Sequence, residues 1–207
     1  MMCAHCGMAC TAKGRHMSFK TAQKAINAAF NNEHKVILGG GEPTLHPQFW
    51  KIMFYALSKT NALNALAPVH IVTNGSVKNS AIKLALMAKY GEIGCVLSLD
   101  KYHRPIDPEV IKYFTDKKIC VETPDPEGSE YPYILVNDRR SIHNSEGREV
   151  IGGRQLWGKA TCMCKDLFVQ PNGTIKQCGC LNAPVIGNIN QIDATFKQYQ
   201  HTCHNRY

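Results

Sequence analysis

From residue 18 to residue 123, apolar residues recur first at helical spacing, then in a short unbroken run, and the alternation repeats along the chain. Phe19, Ala22, Ile26 and Phe30 stand three or four apart behind Ser18, a residue type that caps helix starts, so a helix is predicted over 18–31. Val36-Ile37-Leu38 predicts a strand at 35–39. Pro47 suits the first turn of a second helix, with Phe49, Trp50, Met53, Phe54 and Leu57 as its apolar face. The same reading gives a strand at 69–73, a helix at 79–90, a strand at 94–99, a helix at 107–117 and a strand at 119–123.

Strands separated by helices of ten or more residues imply βαβ units and a parallel sheet. Ligands of such sheets collect at the C-terminal strand ends. The chemistry-bearing residues stand there: Gly39-Gly40-Gly41-Glu42 after one run, Asn74 and Gly75 after the next, Ser98 and Asp100 at the end of a third. Consecutive glycines let a backbone approach a ligand closely and leave its amides free. From about residue 124, Pro124, Pro126, Gly128 and Pro132 break the pattern and the α/β repeat is expected to stop, with Tyr133-Ile134-Leu135-Val136 as a short strand-like piece. Further on, Leu167 to Ile175 reads as a hairpin around Pro171-Asn172-Gly173.

Composition adds the cysteines. Of ten in 207 residues, Cys3, Cys6 and Cys10 crowd the N-terminus, and Cys162, Cys164, Cys178, Cys180 and Cys203 form a C-terminal group. Clustering of this kind favours metal over a disulfide scaffold. Cys95 and Cys120, in apolar runs, read as small buried hydrophobes. Structural zinc is the competing reading, with His5 or His16 as a fourth ligand at the first group and Cys-x-Cys and Cys-Gly-Cys pairs at the second. The chain is 44% hydrophobic and 19% charged, without an apolar run long enough for a spanning helix, and its first residues lack the character of a secretory signal. A cytoplasmic, reducing location without membrane contact is expected. The net charge of +8 is dispersed, which fits an anionic ligand or acidic peptide and gives no sign of dedicated nucleic-acid binding.

Cys3-Ala4-His5-Cys6, Gly40-Gly41-Glu42-Pro43, Thr73-Asn74-Gly75 and Ser98-Leu99-Asp100 occur in one order, and in that order they resemble the radical S-adenosylmethionine (radical SAM) enzymes. The resemblance implies a partial (β/α) barrel, an α/β fold, with a 4Fe-4S cluster on Cys3, Cys6 and Cys10. The iron left open by three thiolates would bind SAM, and reduction would release a 5'-deoxyadenosyl radical that abstracts hydrogen from a substrate. Gly40, Gly41 and Glu42 would hold the methionine end of SAM; Asn74, Ser98 and Asp100 would face its ribose or adenine; Glu42, Cys3 and Cys6 would be catalytic. Cys162, Gly173 and Cys178, with Ile186-Gly187-Asn188-Ile189, resemble the opening of the SPASM and Twitch domains, which implies a second cluster on some four of Cys162, Cys164, Cys178, Cys180 and Cys203.

The family's cluster loop is C-x3-C-x2-C, of which Cys3-x2-Cys6 matches the second half. Either Cys10 serves as third ligand, or a cysteine four positions before Cys3 lies in an open reading frame upstream of Met1. The expected organisation is a radical SAM core at 1–125, a barrel-completing or bridging segment at 126–160, and a small cysteine-rich appendage at 161–207. The expected partners are a peptide or small-molecule substrate and a reductant such as flavodoxin or ferredoxin. The alternative is a non-catalytic zinc- or cluster-binding scaffold built on a degenerate barrel.

Overall fold

In the computed structural model, residues 10, 13–60, 67–99, 103, 105–116, 134–138, 167–177, 179 and 183–191 are described. The chain divides into two compact units, Glu33–Ile142 and Met1–Asn32 together with His143–Tyr207.

The first unit is built on a parallel sheet. Strand β1 (Val36–Leu38) leads through a 3-10 turn (Pro43–Leu45) to α2 (Phe49–Ser58), taken as second because α1 (Phe19–Asn31) belongs to the other unit. Then follow β2 (Val69–Thr73), α3 (Lys78–Lys89), β3 (Gly94–Leu99), α4 (Pro108–Thr115) and β4 (Ile134–Asp138). The sheet order is β1-β2-β3-β4, with Leu38 beside Ile71, Ile71 beside Cys95 and Cys95 beside Ile134. Side chains alternate across the pleat. Val69, Ile71, Cys95, Leu97 and Leu99 therefore share one face and are buried with Met53, Leu84 and Val110 of the helices. The other face carries Ile37, His70, Val72, Val96, Ser98 and Leu135, of which Ile37, Val72 and Leu135 are exposed.

The expected alternation holds over its first three strands, with boundaries moved by a residue or two. Three readings change. The α/β repeat does not stop at residue 124, because β4 adds a further parallel strand along β3. The strand expected at 119–123 lies outside the described residues. The apolar face of α2 is Phe49, Ile52, Met53 and Ala56, whereas Phe54 is exposed and Trp50 half-buried. In a helix apolar on nearly every side, period alone leaves the facing direction open. Trp50 and Phe54 instead stack on each other beneath the Lys83 ammonium, which sits 4.4 Å from the Trp50 ring centre. Pro47 precedes rather than starts α2, and His46 makes the entry, its Nδ1 accepting the Gln48 amide at 2.9 Å.

In the second unit, Ser18 caps α1 as expected: its Oγ accepts the Thr21 amide at 3.1 Å. Strands β5 (Phe168–Val169), β6 (Thr174–Lys176) and β7 (Val185–Asn188) form an antiparallel sheet in that order. The expected hairpin is present. Its Gln170-Pro171-Asn172-Gly173 turn closes with the Gly173 amide on the Gln170 carbonyl at 2.8 Å, and Gly173 takes φ 86°. A Cβ there would also lie 2.3 Å from Asn190 Nδ2, so the position excludes side chains twice over.

Candidate cofactor site

The C-terminal ends of β1, β2 and β3 come together in one unit, and most of the strand-end residues read from the sequence meet there. After β1 the chain runs through Gly39, Gly40 and Gly41, of which Gly40 has φ 135°. Among the described residues, a Cβ built on Gly39 or Gly40 would meet nothing within 4 Å, so open space borders this backbone. The glycines are therefore not demanded by crowding from the protein itself; backbone conformation at Gly40 and access to the backbone are what they provide.

Glu42 turns inward. It is 7% exposed and caps the 3-10 turn, its Oε1 accepting the Thr44 amide at 3.1 Å and the Thr44 hydroxyl at 2.6 Å. The same Oε1 accepts the Thr73 hydroxyl at 2.9 Å, and Oε2 accepts the Asn74 amide at 2.7 Å. One carboxylate thus ties the end of β1 to the end of β2. All four donors are neutral, and among the described residues no cationic side chain pairs with Glu42. A buried charge is ordinarily paired, so this carboxylate suits a cation arriving from the open glycine side.

The end of β2 is fixed by its own turn. Asn74 is buried, its Oδ1 accepting the Ser76 amide at 2.9 Å, while the Gly75 amide donates to Thr73 Oγ1 at 3.1 Å. Gly75 has φ 73°, and a Cβ there would come within 2.9 Å of Leu97 and 3.2 Å of Val110. The strand end is therefore packed down onto β3 and α4. Ser98, half-buried, stands near the end of β3 on the sheet face opposite the helices; Asp100 lies outside the described residues.

Two further groups border this sheet. Cys95 is buried, as its apolar run implies, and burial, with the Glu42 charge adding to it, pushes its thiol up to about 12. A thiol so protonated is neither a nucleophile nor a ready ligand. His70 lies across from Gly94 in the register, and a Cβ on Gly94 would lie 2.3 Å from the His70 Nδ1. Its Nε2 is buried without a hydrogen-bond partner, and burial, followed by the nearby Lys35 charge, holds the imidazole below its ordinary value against the Ala67 carbonyl, which raises it.

Of the metal-ligand candidates, Cys10 is half-buried and outside any disulfide, whereas Cys3, Cys6, Cys162, Cys164, Cys178, Cys180 and Cys203 lie outside the described residues. The sequence reading missed Thr44 and Thr73, the hydroxyls that hold Glu42. Thr73 stood inside a recognised strand end, and a threonine two residues after a capping glutamate is itself a local signal for a side-chain-to-backbone turn.

Among the described residues no helix is long and apolar enough to cross a membrane. No curated protein and no solved structure matches the chain significantly. A family profile, the Radical SAM superfamily, matches residues 1–126, which include all four sequence motifs from the N-terminal cysteines to Asp100. With its parallel α/β sheet and a glycine-lined carboxylate at the strand ends, the chain belongs to the radical SAM superfamily.

Proposed function

We propose that this chain is an enzyme that binds a 4Fe-4S cluster and S-adenosylmethionine and abstracts hydrogen from a substrate, a peptide or protein being the first choice. The observation that carries this reading is the Glu42 carboxylate, buried at a glycine-lined strand end, held by four neutral donors and paired with no cation among the described residues. The methionine end of SAM carries an ammonium and fits such a site, and the open space beside Gly39 and Gly40 leaves room for it. When bound, the cluster and SAM together supply reductive cleavage of the sulfonium.

The chain's own residues supply placement. Gly40 and Gly41 offer backbone groups to the methionine end, and Glu42 offers charge. Ser98 and Asn74, at the neighbouring strand ends, would face the ribose and adenine of SAM, as would Asp100, two positions after Ser98. Cys3, Cys6 and Cys10 would hold the catalytic cluster. Residues 161–207 would form a small cysteine-rich domain of the SPASM or Twitch kind, with a second cluster on four of Cys162, Cys164, Cys178, Cys180 and Cys203. The parallel pairing of β4 supports assigning 126–160 to completion of a partial barrel. An external reductant of the flavodoxin or ferredoxin type would deliver the electron in the cytoplasm.

Calorimetric titration of the anaerobically reconstituted full chain with SAM tests the placement. Glu42→Gln keeps the side-chain volume and removes the charge; it should weaken SAM binding by about 1.5–3 kcal/mol, the scale of a hydrogen bond to a charged group. Unchanged affinity in that variant would remove Glu42 from the cofactor site.

A further inference from the structure

The Glu42 carboxylate is not evenly satisfied. Its two oxygens offer about four acceptor directions, and among the described residues three donors converge on Oε1 while Oε2 takes only the Asn74 amide. Oε1 is saturated by the protein, and the remaining acceptor capacity is on Oε2. Two hydroxyls create this asymmetry. Thr73 is 1% exposed and its Oγ1 accepts the Gly75 amide at 3.1 Å, so its single hydrogen is directed at Oε1. Thr44 Oγ1 lies 2.6 Å from the same oxygen, where an ionised carboxylate can only accept.

We propose that Thr44 and Thr73 are positioning residues for the cofactor's ammonium: by filling Oε1 of Glu42 they orient the carboxylate so that Oε2 is the oxygen presented to the ligand. The inference rests on the reading of Glu42 as the ammonium site. It assigns a role to two neutral hydroxyls that act through Glu42, and it links the ligand response of the β1 end to the β2 end. Without either hydroxyl the carboxylate can rotate about its terminal torsion, which is broad for a glutamate, and its charge is no longer aimed.

The test compares SAM with its desamino analogue, which keeps the sulfonium, carboxylate and adenosine but lacks the ammonium. Both are titrated calorimetrically into the anaerobically reconstituted full chain at matched iron content. The parent should bind SAM more tightly than the analogue. Thr73→Val and Thr44→Val should each weaken SAM by about tenfold, the loss expected of one hydrogen bond to a charged group, while shifting the analogue by less than about twofold. Thr73→Ser, which keeps the hydroxyl, should restore the parent's preference and also serves where Thr73→Val folds poorly. A merely structural role would weaken both ligands alike or lower thermal stability without changing their ratio, and either result overturns the proposal. A parent that does not distinguish SAM from the analogue overturns the ammonium reading itself, and the roles of both threonines with it. A parent that distinguishes them, beside valine variants that do so equally well, overturns only the threonine roles.

Discussion

At the scale of single residues, the Glu42 carboxylate joins two strand ends by accepting the Thr73 hydroxyl and the Asn74 amide. Glu42 was readable as the one charged group at a glycine-rich rim, yet its hydrogen bonds to Thr73 and Asn74 cross more than thirty positions and depend on the register of β1 against β2. His70 is a similar case. It read as part of a strand, while its partnerless Nε2 and its seat over Gly94 arise only from strand pairing. Its imidazole is held below the ordinary value, so the unfolded chain takes up this proton at a higher pH than the folded chain does. The contribution is present above about pH 6.5, the unfolded value, and is lost as pH falls below it. Urea denaturation at neutral pH and near pH 5.5 should show a smaller acid loss for His70→Asn than for the parent; equal losses would show that His70 does not carry this dependence.

Between elements, packing decides what periodicity leaves open. The helices and first three strands of the parallel sheet were legible because amphipathic spacing and short apolar runs report burial directly. The fourth strand is legible only as a strand-like piece, since Pro124, Pro126, Gly128 and Pro132 break the pattern before it and its partner β3 lies beyond α4. The pairing of β2 with β3 gives a specific coupling. In Gly94→Ala the new Cβ would overlap the His70 ring, at 2.3 Å from Nδ1 and 2.5 Å from Cε1, and should cost about 1–3 kcal/mol as overpacking does. His70→Ala removes the obstacle, so Gly94→Ala should cost much less in that background, and a double-mutant cycle by chemical denaturation measures the difference. Additive effects would show that the ring is not what excludes a side chain. Gly75→Ala should likewise destabilise, because φ 73° and the approach of Leu97 and Val110 both oppose a Cβ.

For the whole molecule, Glu42 and its glycines stand at one end of a parallel sheet, and the hairpin sheet of β5, β6 and β7 belongs to a different unit. The hairpin was legible because Pro171-Asn172-Gly173 specifies its own turn. The metal assignments rest on the two cysteine groups of the sequence and lead to a measurable stoichiometry. Anaerobic reconstitution should give about four irons per chain, or about eight if the C-terminal group also holds a cluster, with matching sulfide. Changing Cys162 and Cys178 to Ala should lower iron without removing the N-terminal share. Stoichiometric zinc at both groups with no sulfide would favour the scaffold reading.

Cleavage of SAM is what the proposed cluster and SAM sites together would produce. Its most direct test is to incubate the anaerobically reconstituted full chain with dithionite and SAM and to measure 5'-deoxyadenosine by liquid chromatography, without any added substrate. 5'-Deoxyadenosine should appear above the level of a cluster-free control. Iron-loaded protein that leaves SAM intact under these conditions would remove the proposed activity.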